Sequence, residues 1–430
     1  MITKEEITAC ESVLKEELRL AMGCTEPIAI AYAAAILGDV LSARPESVSV
    51  HLSGNIIKNV KSVIVPSSGG LHGIPTAVAA GVIAGHPENM LEVLSVLDET
   101  AHEQILAYLQ DCDLHIHELV SPCTFDLLLE GRAGKNSAVV RISERHTNVV
   151  YVTLNGQDLT TQYRQTGVIS SEEHADKSLL TVKNILEFVQ TQDLSEVIPL
   201  IQRQIAVNMA IAEEGLKNDY GASIGKLLYK DGQADLAGKA KAFAAAGSDA
   251  RMSGCELPVC IISGSGNQGI TTCVPVVVYA RELGVDEQTL IKAVAVSDLI
   301  TAHLKDGIGC LSAYCGAICA GVGAGAGISF LTGGDYWEIA HTIVNGLAIL
   351  SGTICDGAKP SCAAKIAMAV EAGIMGCEMA KTRRQFVHGD GIVTKGVENT
   401  IKNIGVLARE GMYETDKKII SIMLEQEESV

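Results

Sequence analysis

The sequence has few basic residues for its length. Its 430 residues include 33 lysines and arginines against 51 aspartates and glutamates, which gives a formal net charge of −18. A chain with this excess of negative charge repels nucleic-acid backbones and anionic lipid surfaces. We therefore expect neither a nucleic-acid partner nor a membrane partner.

A secretory signal is also missing from the start of the sequence. Residues 1–6 read Met-Ile-Thr-Lys-Glu-Glu and resemble the beginning of an amphipathic helix, not a basic segment followed by an apolar run. Thirteen cysteines in a chain without such a signal favour free thiols in a reducing compartment over a disulfide framework. The expected location is the cytoplasm.

Residues 307–334 contain no charged residue and are long enough to span a bilayer. This stretch is rich in glycine and alanine, however, and it lacks the flanking basic clusters and the aromatic belt of a membrane helix. A helix that is apolar on all sides can equally lie at the centre of a large protein. We expect a buried helix here.

The pattern of apolar residues changes along the chain and predicts an α+β fold. Helical spacing dominates after residue 177, whereas strand-like runs occupy residues 47–52, 58–65, 114–119, 125–130, 137–142 and 148–154. We expect a large, mostly helical catalytic domain with a smaller inserted α/β domain. Residues 1–90 would form the N-terminal part of the catalytic domain and residues 91–176 the insert, with a linker at 160–176. Residues 177–430 would carry the cysteine motifs.

Five of the thirteen cysteines lie within residues 309–362, at positions 310, 315, 319, 355 and 362. Most cysteines in such a small-residue core should be inert, because a free cysteine packs as a small apolar side chain. Cys355 and Cys362 differ because they enclose the turn-forming sequence Asp-Gly-Ala-Lys-Pro-Ser. Thiolates are soft ligands, and three that converge could hold an iron-sulfur cluster, copper(I) or zinc.

Two glycine-containing segments are candidates for binding a carboxylate through backbone amides. One contains Ser53 and Asn55, and the other, Ser-Gly-Ser-Gly-Asn-Gln-Gly, contains Ser265 and Asn267. A plain glycine turn explains the first segment nearly as well. The second segment lacks the Gly-Lys-Ser/Thr ending of a Walker motif, and as a lone glycine-rich loop it is a weak signal. Cys24 precedes Thr-Glu-Pro near a predicted helix start, where a thiol pKa is lowered, although a buried junction thiol is equally consistent.

Four segments together resemble the bacterial and archaeal L-cysteine desulfidases, which are related to the catalytic chain of the iron-sulfur L-serine dehydratases. The segments are residues 22–27, 263–269, 314–316 and 355–362, and the resemblance covers nearly the whole chain. It implies an enzyme with a 4Fe-4S cluster and no pyridoxal phosphate, which converts L-cysteine into hydrogen sulfide, ammonia and pyruvate. It also implies that Cys315, Cys355 and Cys362 bind the cluster, which leaves one iron for the substrate, and that Cys24 is an acid/base residue.

The resemblance leads to specific roles for side chains. We hypothesise Cys24 as the base that removes the α-proton, with Lys359 as a weaker candidate because lysine must be buried or beside a cation to be neutral. The remaining candidates, Ser53, Asn55, Ser265 and Asn267, would hold the carboxylate and ammonium groups of an amino-acid substrate.

Alternatives stay open at this point. The same scaffold could act on L-serine, although only six residues separate Cys355 from Cys362 and residues 424–430 contain no thiol, and both features depart from the serine dehydratases. A non-enzymatic zinc-binding or redox-sensing protein is the second alternative, and a pyridoxal phosphate enzyme a lesser one. Homo-oligomerisation is left open by the sequence.

Overall fold

A computed structural model describes residues 2–164, 175–309 and 311–425. Cys310 and most of the predicted linker, residues 165–174, lie outside the described residues.

The strands belong to two sheets. They are β1 (Arg19–Met22), β2 (Ser47–Leu52), β3 (Asp113–Glu118), β4 (Asp126–Ala133), β5 (Asn136–Ser143), β6 (Val149–Leu154), β7 (Gln157–Asp158) and β8 (Pro258–Ile261). The larger sheet has the order β3-β2-β4-β5-β6-β7, with β2 and β3 parallel and the other neighbours antiparallel. Strands β1 and β8 form a separate antiparallel pair.

Helices make up most of the remaining described chain. The α-helices are α1 (Lys4–Glu17), α2 (Thr25–Leu41), α3 (Gly54–Val60), α4 (Gly73–Ala84), α5 (Ala101–Asp111), α6 (Thr160–Tyr163), α7 (Val182–Thr191), α8 (Ile198–Lys217), α9 (Ile224–Tyr229), α10 (Leu236–Met252), α11 (Gly266–Leu283), α12 (Glu287–Asp306), α13 (Gly316–Leu331), α14 (Tyr336–Ile349), α15 (Cys362–Lys381), α16 (Val397–Val406) and α17 (Tyr413–Glu425). Short 3-10 segments occupy Pro87–Val96, Lys177–Leu179 and Lys230–Gly232, and a π-turn spans Leu407–Gly411.

The predicted α+β fold class is confirmed. The six-stranded sheet packs against α2. The contact is close, because a Cβ added to Gly131 of β4 would lie 2.7 Å from the side chain of Leu37 on α2. Alternation along β2 buries Val48, Val50 and Leu52 on one face, as expected for a sheet with one covered side. Strand β2 pairs with β3 and β4, so the sheet contains residues from both sides of position 91. The division into domains at that position stays a prediction.

Helix α13 lies at the centre of the helical part and is buried nearly all round. Its glycines allow very close packing on α15, since a Cβ added at Gly373 would lie 2.0 Å from the carbonyl oxygen of Gly321. The glycine and alanine content of this stretch is therefore explained by contact between two helix backbones.

Among the described helices, none combines the length and apolarity needed to cross a membrane.

The strand predicted for residues 58–65 is wrong, because residues 54–60 form α3. Ile56, Ile57 and Val60 are buried on this helix. Lys58 is buried as well, since its Nζ lies 2.5 Å from Oδ1 of Asp416 on α17. A long-range ion pair, which sequence alternation cannot reveal, thus accounts for a lysine in an otherwise buried segment.

Candidate active site

Two loops bring Cys315 and Cys355 side by side. Tyr314 and Ile354 form an isolated antiparallel bridge. On either side of it, the Cys355 N–H donates to the Ala313 carbonyl at 2.7 Å and the Cys315 N–H donates to the Thr353 carbonyl at 3.1 Å. Cys315 is also the N-cap residue of α13. Backbone pairing therefore fixes the separation of two thiols that are forty positions apart in the sequence.

The third cysteine of the predicted cluster set, Cys362, begins α15 after a tight turn. Gly357 in this turn has φ +93°, and a Cβ added to it would lie 2.2 Å from the carbonyl oxygen of Lys58 on α3. Only glycine fits there, because the position requires both a left-handed backbone and close approach to another backbone. The Cys362 thiol lies 3.7 Å from the Gly357 carbonyl oxygen.

The acidic residue of the turn, Asp356, pairs with Lys359 and with Lys365, whose Nζ lies 2.5 Å from Oδ1. Burial opposes ionisation of Asp356, but hydrogen bonds from the two lysines lower its pKa to about 2. The charged pairs hold the turn between the two cysteines in one conformation.

The thiols differ in their acidity. A hydrogen bond from the Cys315 thiol, together with Lys58 and the Gly357 N–H, lowers the pKa of Cys355 although burial opposes this. The same hydrogen bond and burial raise the pKa of Cys315. Burial raises the pKa of Cys362. Cys355 is thus the member of the trio whose surroundings favour the thiolate most.

Cys24 occupies the N-cap position of α2, so a helix begins beside this cysteine as predicted. Burial and the neighbouring Glu26 raise the pKa of Cys24, which corrects the expectation that the helix start would lower it. The Cys24 thiol lies 3.6 Å from Glu26 Oε2. The Thr25 hydroxyl shares its one hydrogen between the same oxygen, at 3.1 Å, and the Gly264 carbonyl, at 2.9 Å. Asn59 donates to Oε1 at 3.0 Å. Cys24 therefore faces a carboxylate whose orientation is fixed.

The glycine-rich segment, residues 263–269, follows strand β8 and leads into helix α11. The Ser265 hydroxyl caps this helix by accepting a hydrogen bond from the Gln268 N–H at 3.4 Å. The Asn267 side chain donates to the Met252 sulfur at 3.5 Å, while its Oδ1 has no partner among the described residues. Thr25 joins this segment to α2 by donating to the Gly264 carbonyl at 2.9 Å.

One cavity of about 110 Å³ joins these parts. Cys24 lies on its wall together with the three predicted cluster cysteines and with two predicted substrate-binding residues, that is, Cys315, Cys355, Cys362, Ser265 and Asn267. Four sequence segments that are far apart in the chain therefore meet around a single small space.

Three other predicted residues are absent from the described lining of this cavity. Ser53 donates to the Thr124 carbonyl at 2.8 Å. Asn55 donates to Asp416 at 2.7 Å. Lys359 is committed to Asp356 and donates to the Gly357 carbonyl at 3.2 Å. The hydrogen bonds and ion pair of these side chains stabilise α3 and the segment 355–362.

Sequence reasoning missed several buried polar residues on the cavity wall, among them Glu26, His146 and Arg251. Glu26 lies in residues 22–27, one of the four segments that carry the family resemblance. Its position two residues after Cys24 was therefore the available signal. His146 follows β5, and burial lowers its pKa. Arg251 ends α10 in an alanine-rich helix, where no local pattern distinguishes it from a surface arginine.

The cysteine trio fits an iron-sulfur cluster in its donor chemistry. Among residues 2–164, 175–309 and 311–425, no three His, Cys, Asp or Glu side chains are grouped as they would be for a single metal ion. In a cubane cluster each cysteine binds a different iron, so its ligands need not converge on one point. Three soft sulfur donors that line one cavity match that requirement.

Comparison with known proteins shows which family the chain belongs to. A sequence model of the family described as serine dehydratase alpha chain matches residues 88–421, and the chain belongs to this family. It is also similar to UPF0597 proteins along nearly its whole length. Identity is 52% over 415 residues with the one from Desulfitobacterium hafniense, and the match covers 96% of each chain. It is 42% over 419 residues with the one from Treponema denticola, again covering 96% of each.

The predicted relation to the serine dehydratase alpha chains is thereby confirmed. Membership in this family makes a lyase the plausible class of enzyme.

Proposed function

We propose that this protein is an iron-sulfur lyase that converts L-cysteine into hydrogen sulfide, ammonia and pyruvate by α,β-elimination. The observation that carries the proposal is the meeting of Cys24 with Cys315, Cys355 and Cys362 around one small cavity. Family membership supports the reaction class, and the many free thiols favour the cytoplasm as its location.

Cys315, Cys355 and Cys362 would hold a 4Fe-4S cluster and leave one iron without a protein ligand. When bound, such a cluster supplies a Lewis acid that polarises the leaving sulfur of the substrate. The proposal requires no pyridoxal phosphate, and the absence of Schiff-base absorbance in the active protein would test that part separately.

The chain itself supplies the proton chemistry. Cys24 is the proposed base, and its thiol already points to Glu26 Oε2 at 3.6 Å. Because burial and Glu26 raise the pKa of the Cys24 thiol, Cys24 can act as the base only after its proton passes to Glu26. The resulting thiolate would remove the α-proton of the substrate. The electrons of the broken C–H bond then form the Cα–Cβ double bond as the Cβ–S bond breaks. The hydrosulfide that leaves takes up the proton held by Glu26, which restores the carboxylate and gives hydrogen sulfide. The other product, aminoacrylate, reacts with water to give ammonia and pyruvate.

The residues that hold the substrate are reassigned in part. Ser265 and Asn267 remain the proposed contacts of the substrate's carboxylate and ammonium groups, because both line the cavity. We assign Ser53, Asn55 and Lys359 to bracing the surrounding segments, since their hydrogen bonds go to other parts of the chain.

L-serine is the second candidate substrate, and the family match to serine dehydratase alpha chains favours it. The same residues would then eliminate water in place of hydrogen sulfide. Pyruvate formed from L-cysteine and from L-serine, measured in parallel on anaerobically purified protein, separates the two. Faster turnover of L-serine would overturn the desulfidase assignment, and no turnover of either by a colourless protein would favour a zinc or redox-sensing role.

Replacing the base gives a sharper test. Cys24→Ala should lower turnover at least about a hundredfold while the iron content is unchanged, because an acid/base residue contributes that much to rate. Cys10→Ala is a matched control, since Cys10 is a fully buried thiol on α1 outside the cavity. Loss of iron from the Cys24 variant would instead make Cys24 a cluster ligand, and full activity would exclude it as the base.

A further inference from the structure

Arg251 is a buried cation that forms no ion pair with any carboxylate among the described residues. The residue is 3% exposed, and its side chain reaches the wall of the cavity. Within the described chain, no acceptor lies within hydrogen-bonding distance of its Nε. Glu26, the carboxylate on the same wall, is bonded to Asn59 and Thr25 instead. Because a guanidinium is always charged and its unpaired burial is costly, this position calls for an anion from outside the chain.

The backbone is shaped to hold this guanidinium beside the glycine-rich segment. A Cβ added at Gly266 would lie 2.4 Å from Arg251 Nε and 2.9 Å from its Cζ. The missing side chain at Gly266 therefore leaves the space that the guanidinium fills. Arg251 is thus held against the start of α11, next to Ser265 and Asn267.

Unpartnered acceptors lie on the same wall. The side-chain oxygens of Asn267 and Gln268 are buried and have no donor among the described residues. Their chemistry suits an ammonium group, which has three N–H donors and no acceptor. The wall therefore offers a guanidinium that can bind a carboxylate and two acceptors that can bind an ammonium group. These match the two charged groups of an α-amino acid.

The size of the cavity limits the ligand further. Its volume of about 110 Å³ is below the roughly 150 Å³ of an engineered cavity that binds benzene, and well below the 300 Å³ or more of sites for drug-sized ligands. A free amino acid with a very short side chain is the ligand size that suits this space.

We infer that Arg251 binds the α-carboxylate of the substrate and restricts the site to small, free amino acids. This inference rests on the proposed function, because it places the carboxylate of the same substrate. The inference identifies Arg251 as the residue that distinguishes a free amino acid from its amide. A guanidinium binds a carboxylate in bidentate fashion, and the amide lacks that negative charge.

The experiment compares two ligands that cannot eliminate a leaving group. Calorimetry measures binding of L-alanine and of L-alaninamide to the anaerobically purified holoenzyme, its Arg251→Gln and Arg251→Lys variants, and an Arg281→Gln control. Arg281 is exposed and pairs with Glu213 on the surface, so this control removes an arginine charge outside the cavity. The wild type and the control should both bind L-alanine at least about tenfold more tightly than the amide.

Arg251→Gln should lose this preference. Arg251→Lys keeps the charge without the planar fork and should bind L-alanine at least about threefold more weakly than the wild type. If the Gln variant does not fold, the Lys variant decides. Retained preference and affinity in the variants would overturn the inference, as would equal binding of the two ligands by the wild type. If the wild type prefers L-alanine to L-alaninamide but does not turn over L-cysteine, only the proposed function is refuted. If the wild type turns over L-cysteine and the Arg251 variants keep the same preference for L-alanine, only the inference about Arg251 is refuted.

Discussion

The turn between Cys355 and Cys362 provides a prediction that can be worked from the geometry of one residue. Gly357 has φ +93°, and an added Cβ would lie 2.2 Å from the carbonyl oxygen of Lys58. Backbone strain at a left-handed position costs an alanine about 1–2 kcal/mol, and overpacking costs about 1–3 kcal/mol more. Gly357→Ala should therefore lower the free energy of unfolding by about 2–5 kcal/mol and displace the turn.

Two nearby glycines separate the contributions. Gly309 has φ +92° with nothing within 4 Å of an added Cβ, so Gly309→Ala measures strain without a clash. Gly352 also has open space, without a left-handed φ, so Gly352→Ala should change stability very little. The expected order of destabilisation is Gly357, then Gly309, then Gly352.

The assay is urea unfolding of anaerobically purified protein, together with the iron content per chain. Gly357→Ala should lose iron as well as stability, because the turn sets the distance from Cys355 to Cys362. If it retains its iron and is no less stable than Gly309→Ala, then the close contact between the turn and α3 is refuted.

Two further predictions concern buried charges. Asp416→Ala should cost about 3 kcal/mol in urea unfolding, because Lys58 would be left buried without its partner, and an unchanged midpoint would contradict the ion pair. Burial raises the pKa of Asp298 to about 7, so the folded state holds a proton that the unfolded state releases above its ordinary pKa of 3.8. Stability contributed by this group therefore falls as pH rises from about 4 to 7, and Asp298→Asn should be more stable than the wild type at pH 8, by up to about 4 kcal/mol. Thermal unfolding at pH 4 and pH 8 checks this, and an advantage that is equal at both values would contradict it.

Local patterns in the sequence were sufficient for much of the fold. The alternation of apolar residues predicted β3 to β6, because a strand with one buried face repeats every two residues. The glycine and alanine run predicted a buried helix, and α13 is that helix. The α3 segment was misread because Lys58 is buried by a partner more than 350 positions away.

The candidate site divides along the same line. Motifs with unusual chemistry, such as the turn from Cys355 to Cys362, were visible because few structural roles require them. Arg251 and His146 were not. Each is buried with a nitrogen, Nε or Nε2, that has no hydrogen-bond partner among the described residues, and only the packing of distant segments creates such a position. A role for Ser53 and Asn55 in substrate binding stays a prediction. Their turn-like sequence suggested it, and their side chains are hydrogen-bonded to other parts of the chain.

The central claim is that three thiols hold a cluster at the cavity where Cys24 acts. The iron content per chain of anaerobically purified protein tests it most directly, with Cys355→Ser beside Cys319→Ser, a fully buried thiol that is absent from the described lining of the cavity. The account predicts about four irons in the wild type and in the Cys319 variant, and loss of iron in the Cys355 variant. Zinc in place of iron in the wild type, or unchanged iron after Cys355→Ser, would contradict it.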